Sequence, residues 1–233
     1  MNANDLVFKQ PQLQGNGDDP ALSYRSFADF ADIAAHDREC EQLVLSYQKV
    51  FGESGVWAEE YSRQDVLEKL KVQLAGSASL RICTGTRSGL APDAHPGFCW
   101  MQALDVAEIT ASIATIKYYE TLGSPDVSAQ LRSIIADRKV IYVHELGILN
   151  PYRGKVRLTQ MLYPTLRAVA ESSGLRQVLF WSVPNTFVSS LAKRGRFIKA
   201  LETNGMEFHL GEFCITDQED NAGIRWLVPE RPV

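Results

Sequence analysis

The sequence predicts an α/β fold in which a mixed central sheet is flanked by helices, with a helical insertion before the central strand. Three stretches carry that reading. Val140, Ile141, Tyr142, Val143, Leu146, Ile148 and Leu149 form a β-rich run, apolar on both faces apart from His144 and Glu145, which suits a strand buried in a mixed or parallel sheet. Asn150-Pro151 stops it, and Leu158, Leu162, Leu166, Val169 and Ala170 then recur at helical spacing as far as Ser172-Ser173-Gly174. A second buried strand follows at Gln177–Val183.

The remaining elements follow in chain order. Residues 1–20 include Gly15-Asn16-Gly17-Asp18-Asp19-Pro20 and read as a flexible arm, with 21–233 as one domain. Leu22–Phe27 makes a first strand. Asp29–Phe51 makes one or two helices, broken around His36-Asp37. Ser62 with Asp65 three residues later starts a helix that Val66, Leu67, Leu70, Val72 and Leu74 continue. Ser79–Thr86 and Gly97–Val106 are strands, and the insertion at about 107–137 reads as two helices separated by Gly123-Ser124-Pro125. Pro164 removes one hydrogen bond from inside its helix. Phe187–Asn204 reads as a helix stopped by Gly205, and Met206–Ile215 with Gly223–Val228 as a closing hairpin.

Composition excludes several classes of function. With 24 basic and 28 acidic residues the net charge is −4, which argues against nucleic acid and anionic membrane as partners. No run approaches the roughly 18 to 20 apolar residues that span a bilayer, and the N-terminal residues lack the pattern of a signal peptide, so a cytoplasmic location is expected. Cys40, Cys83, Cys99 and Cys214 are far apart, with no paired cysteines or histidines at zinc-ligand spacing; reduced thiols and no metal are expected. The insertion at about 107–137 reads as a helical pack over one sheet face or as a homodimer surface.

Arg153, Gly154, Lys155 and Arg157 form a basic turn at a helix start. There the free first-turn N–H groups and the positive end of the helix dipole both favour an anion. The order of strand, Asn150-Pro151-Tyr152-Arg153-Gly154-Lys155 and amphipathic helix resembles the coenzyme A signature of the GNAT superfamily of N-acyltransferases. The family loop is usually written Gln/Arg-x-x-Gly-x-Gly/Ala; Arg153 matches, whereas Val156 and Leu158 stand where the two small residues belong. A β-branched Val beside a diphosphate is a steric obstacle if its side chain crosses the seat.

The resemblance implies a GNAT-like fold and an N-acyltransferase that moves an acetyl or other acyl group from acetyl-CoA, or another acyl-CoA, to an amine acceptor. It implies that the pantetheine arm lies between strands 140–149 and 177–183 and meets main-chain N–H groups near Leu146, Ile148 and Leu149. The phosphates would lie against Arg153, Gly154, Lys155, Val156, Arg157 and Leu158, with Asn185 touching the cofactor after the second strand. The family's tyrosine acid, in the last turns of the next helix, falls at about Leu201 and is missing. Acyl transfer to an amine also needs a base. His144 shares its strand face with Tyr142 and is the first candidate, Tyr142 supporting it and Glu145 second; the two neighbours share a face only if a bulge intervenes. A GNAT-fold scaffold without catalysis, and an acyltransferase fed by acyl carrier protein, are the alternatives.

Overall fold

The structure is a computed structural model and describes residues 21–52, 59–86, 94–123, 125–184, 199–203, 205–217 and 220–227. In chain order the elements are β1 (Ala21–Phe27), α1 (Phe30–Ala34), α2 (Asp37–Gly52), α3 (Arg63–Gln73), β2 (Ala78–Thr86) and β3 (Gly97–Leu104). There follow α4 (Val106–Ala114), α5 (Lys117–Thr121), α6 (Ser128–Ile135), β4 (Val140–Ile148), α7 (Leu158–Ser173), β5 (Gln177–Ser182), β6 (Lys199–Thr203), β7 (Met206–Ile215) and β8 (Ile224–Trp226). The strands form one sheet in the order β1-β2-β3-β4-β5-β7-β6, with β8 added to β7. All neighbours are antiparallel except β4 and β5, which run parallel.

Alternation along the strands divides the core by face. On one side α2 and α3 bury Leu43, Tyr47, Val66 and Leu70 against Leu80, Ile82, Phe98 and Trp100. On the same side α4 to α6 bury Ile109, Ile113, Leu131 and Ile135 against Tyr142, Leu179 and Phe208. The opposite side is covered by α7, whose Met161, Leu166 and Val169 meet Cys99, Met101, Ile141, Val178 and Phe213. The insertion is therefore a helical layer over the sheet.

Local chemistry accounts for most boundaries. At the start of α3 the Ser62 hydroxyl accepts from the Asp65 N–H at 3.1 Å, and the Asp65 carboxylate accepts from the Ser62 N–H at 2.8 Å. Asp105 and Glu108 make the same reciprocal cap on α4, so Val106 opens a helix rather than closing β3. Pro164 lies inside α7 and cannot donate to the carbonyl of Gln160; Arg81 Nε donates to that carbonyl instead, at 2.7 Å.

Two expectations are corrected. The insertion holds three helices, not two. Thr115 Oγ1 donates to the Ser112 carbonyl at 2.7 Å and Ile116 N to the Ile113 carbonyl at 3.0 Å, which tightens and ends α4 before α5 begins. Residues 199–203 are a strand, not the end of a helix: from Lys199↔Leu210 to Thr203↔Met206 they pair with β7, and ladder bonding overrides their helical propensity. Leu201 therefore lies in β6, half-buried against the insertion helices. The arm at 1–20, Asn185 and the rest of the expected helix lie outside the described residues. All four cysteines are free thiols. Among the described residues no helix is long and apolar enough to cross a membrane, and no three His, Cys, Asp or Glu side chains are grouped to hold a metal.

Candidate active site

β4 and β5 make a fork. They pair at Ile141↔Val178 and Tyr142↔Leu179 and no further. Beyond that point 143–148 stays with β3, and 180–182 stays with β7, its last pair being Ser182↔Glu207. Among the described residues one edge of each strand is thus left without a ladder where the chain turns toward α7. The turn is built by a short 3-10 segment at Asn150–Tyr152 and by Lys155 and Val156 N–H groups that both donate to the Tyr152 carbonyl, at 3.0 and 3.1 Å. Gly154 supplies its left-handed residue, φ 85°.

α7 then starts at Leu158 with no side-chain cap from Arg157. Gln160 and Met161 N–H groups reach back to the Arg157 carbonyl, while those of Leu158 and Thr159 have no acceptor among the described residues. Arg153, Gly154, Lys155 and Arg157 are exposed around this end. Val156 is 6% exposed and turned into the α7-side cluster, where its Cγ1 lies 3.4 Å from the point a Cβ on Gly97 would occupy. It does not lie across the turn, and the steric obstacle expected of it is absent. Leu158 is half-buried. Leu146 and Ile148 pack on the α7 side. Leu149 is a correction: its N–H is committed to the Pro96 carbonyl at 3.0 Å and its side chain is buried, so it offers a ligand neither.

The bulge is present. On β3, Trp100 pairs with Glu145 and Met101 with Val143, which leaves His144 as the extra residue on β4. His144 and Glu145 therefore share a face. His144 points to the insertion with Tyr142, the two rings edge to face at 5.0 Å. Glu145 points to α2 and α3, where its Oε1 accepts from Tyr47 Oη at 2.9 Å and Lys69 Nζ at 3.2 Å. The Lys69 and Glu145 side chains are 7% and 10% exposed. The Lys69 ammonium also lies over the Tyr47 and Tyr61 rings, 5.2 and 5.0 Å from their centroids. Burial raises the Glu145 carboxyl above its usual range, with Lys69 and Tyr47 opposing that shift. Both of its hydrogen bonds fall on Oε1, which leaves Oε2 for another partner.

His144 is differently placed. Gln102 Nε2 donates to the Ala75 carbonyl at 2.7 Å, so its Oε1, 3.1 Å from His144 Nε2, is an acceptor. The imidazole therefore carries its proton on Nε2 and accepts at Nδ1 from the Ser112 hydroxyl, 3.1 Å away. Burial, helped by the Lys69 charge, lowers its pKa to about 3. The ring is neutral near pH 7 with both nitrogens engaged. The Tyr142 hydroxyl, by contrast, is buried without a hydrogen-bond partner, with the Trp181 side chain beside it. Burial and the Glu145 charge push Tyr142 far above the usual phenol range, so it stays protonated.

Known structures share the fold. A polyamine N-acetyltransferase of Drosophila melanogaster, which forms N-acetylagmatine, superposes with TM-score 0.50 at 14% identity over 82% of this chain and 99% of its own. A candidate acetyltransferase of Acinetobacter baylyi ADP1 gives TM-score 0.52 at 10% identity, over 82% and 93%. The chain has the GNAT acetyltransferase fold. A GNAT-family acetyltransferase of Listeria monocytogenes aligns less closely, at TM-score 0.46 and 13% identity over 82% and 94%. No protein-family model matches the sequence and no curated protein resembles it significantly, so the likeness to GNAT proteins is one of fold.

Within the GNAT fold, the structure adds residues that the sequence did not bring forward. Tyr47, Lys69, Tyr61 and Glu59 gather on the face of Glu145: Tyr61 donates to Glu59, and Lys117 of α5 lies over the Tyr61 ring at 4.7 Å. Lys69 carried a readable signal, since it falls on the same stripe of α3 as the buried Val66, Leu70 and Gln73. Tyr24 on β1 accepts the Arg157 N–H at 3.3 Å, tying the basic turn to the sheet edge. Nearby, Trp100 is core, Tyr119 is buried and donates to the Pro125 carbonyl, and Tyr118 stacks on Trp181 at 6.4 Å.

Proposed function

We propose that the chain is an N-acyltransferase that moves an acetyl or other acyl group from coenzyme A to an amine, acting in the cytoplasm. The observation that carries this reading is the fork between β4 and β5, which opens directly onto an uncapped helix start ringed by Arg153, Lys155 and Arg157. The pantetheine arm takes the unladdered strand edges as an added strand would. The diphosphate takes the Leu158 and Thr159 N–H groups and the basic side chains.

Glu145 is the general base in this reading, in preference to His144. Its Oε2 has no bond among the described residues, and burial moves its pKa toward the working pH, whereas His144 gives up neither ring nitrogen without breaking the Ser112 or Gln102 bond. The amine loses its proton to Glu145 Oε2 and attacks the thioester carbonyl carbon. The new C–N bond forms as the C–S bond breaks, and the thiolate leaves with the coenzyme. Tyr142 stands at the last paired position of the fork with an unsatisfied hydroxyl, and supplies a hydrogen-bond donor where negative charge develops.

Calorimetric titration with acetyl-CoA and with coenzyme A tests the reading. Saturable heat is expected from both, and no heat at millimolar ligand would remove it. Thiol release from acetyl-CoA across a panel of primary amines, lost in Glu145→Gln, separates catalysis from a scaffold that only binds.

A further inference from the structure

The largely half-buried polar chain around His144 runs from the insertion to the bulge, and the donor at each step can be named. Trp100 Nε1 donates to Gln73 Oε1 at 2.9 Å, so Gln73 Nε2 faces the Ser112 hydroxyl, at 3.4 Å. Ser112 donates to His144 Nδ1 at 3.1 Å, His144 Nε2 to Gln102 Oε1 at 3.1 Å, and Gln102 Nε2 to the Ala75 carbonyl at 2.7 Å. Every step has one donor and one acceptor, and the chain joins the end of α3, β3, α4 and β4. Its central member is the supernumerary residue of β4. An extra strand residue makes no ladder pair of its own, so its place depends on what its side chain holds.

We infer that Ser112, on the first helix of the insertion, is a positioning residue that fixes the β4 bulge through His144 and so keeps Glu145 on the face of Tyr47 and Lys69. The insertion thereby supplies a support that the catalytic strand lacks on its own: if His144 took a ladder place of its own, strict alternation would send Glu145 to the α7 side. Ser112 touches neither Glu145 nor the basic turn, so its loss acts on the geometry of the strand and leaves the donor seat intact. The catalytic consequence rests on the role proposed for Glu145; the structural one does not.

The test compares Ser112→Ala with Ser112→Thr, which keeps the hydroxyl, and with Gln102→Met, which removes the acceptor on the other side of the ring. In the unmodified chain, 15N NMR of the imidazole reports the Nε2–H tautomer of His144. Ser112→Ala and Gln102→Met each disturb that signature and speed amide exchange at 144–146 by about tenfold or more through local opening. Ser112→Thr restores both. With acetyl-CoA and a simple alkylamine as probes, Ser112→Ala lowers kcat by about tenfold or more with KM for acetyl-CoA unchanged, since ~1 Å of misplacement costs up to about 10²-fold. An unaltered tautomer signal and unaltered exchange at 144–146 in both disrupting variants would overturn the inference. Absence of turnover in the unmodified chain would instead remove the acyltransferase reading and leave the NMR and exchange results to decide this one.

Discussion

Replacing Lys69 with methionine leaves the Glu145 carboxylate buried without its counter-charge. The two side chains are 7% and 10% exposed, and the ammonium is held by Glu145, by the Tyr47 hydroxyl at 2.8 Å and by two aromatic faces. Removing one partner of a buried pair costs about 3–5 kcal/mol, because the other remains as an uncompensated charge. With a urea m-value of about 3 kcal/mol/M for a chain of this size, the unfolding midpoint falls by about 1–2 M. The double variant Lys69→Met, Glu145→Gln regains most of that loss. The deficit also depends on pH. Glu145 already has a raised carboxyl pKa in the fold, and losing Lys69 raises it further. A raised acid contributes stability that is complete below its unfolded pKa, about 4.3, and is lost as pH rises toward the folded value. The deficit of Lys69→Met is therefore larger at pH 7 than at pH 4.5. Urea unfolding followed by tryptophan fluorescence at both pH values measures it. A loss under ~1 kcal/mol, or one equal at both pH values, would refute the argument that the pair is buried and coupled.

Other outcomes follow from the same geometry. A Cβ on Gly147 would come within 2.7 Å of both Cε atoms of Phe98, whose ring is hemmed in by Tyr47, Phe51 and Trp100. Gly147→Ala should lose about 1–3 kcal/mol in urea unfolding, and Phe98→Leu in the same chain should recover part of it. His144, with its pKa lowered to about 3, refuses a proton that the unfolded chain accepts; between pH 6.5 and 3 it makes stability fall by about 1.4 kcal/mol per unit of acidification. Removing the imidazole in His144→Asn should flatten that limb of the stability profile. Arg153→Ala and Arg157→Ala should each weaken acetyl-CoA binding about tenfold, the value of one charge-assisted hydrogen bond, and the loss should shrink in high salt by calorimetry.

What the sequence disclosed was local. Ser62 with Asp65, the β-rich run into Asn150-Pro151 and the apolar stripe from Leu158 to Ala170 each encode their element within a few residues, and β4, α3 and α7 lie where that chemistry puts them. The strand at 199–203 was not legible because Lys199 to Thr203 suit a helix by propensity, and pairing with β7 decides otherwise. The candidate site divides the same way. Arg153, Gly154, Lys155 and Arg157 stood out as a basic turn at a helix start, Val156 and Leu158 only through the family resemblance, and His144 and Glu145 through their polarity in an apolar strand. The roles of His144 and Glu145 did not, because those depend on Tyr47, Lys69, Gln102 and Ser112, between 32 and 98 residues away in the chain. The direction of Val156 was hidden as well: only packing against β3 reveals that this bulky residue of the basic turn faces inward.

The irregularity in β4 has a consequence for how the strand can be edited. Val143 and Glu145 already sit opposite consecutive residues of β3, so excising His144 would splice two segments that are each in register with their neighbour. Every other side chain of the strand would keep its present side, and the ladder would become continuous. A one-residue deletion in a central strand ordinarily inverts half of it; here it would yield a straightened version of the same sheet, a parent against which the worth of the kink could be weighed directly.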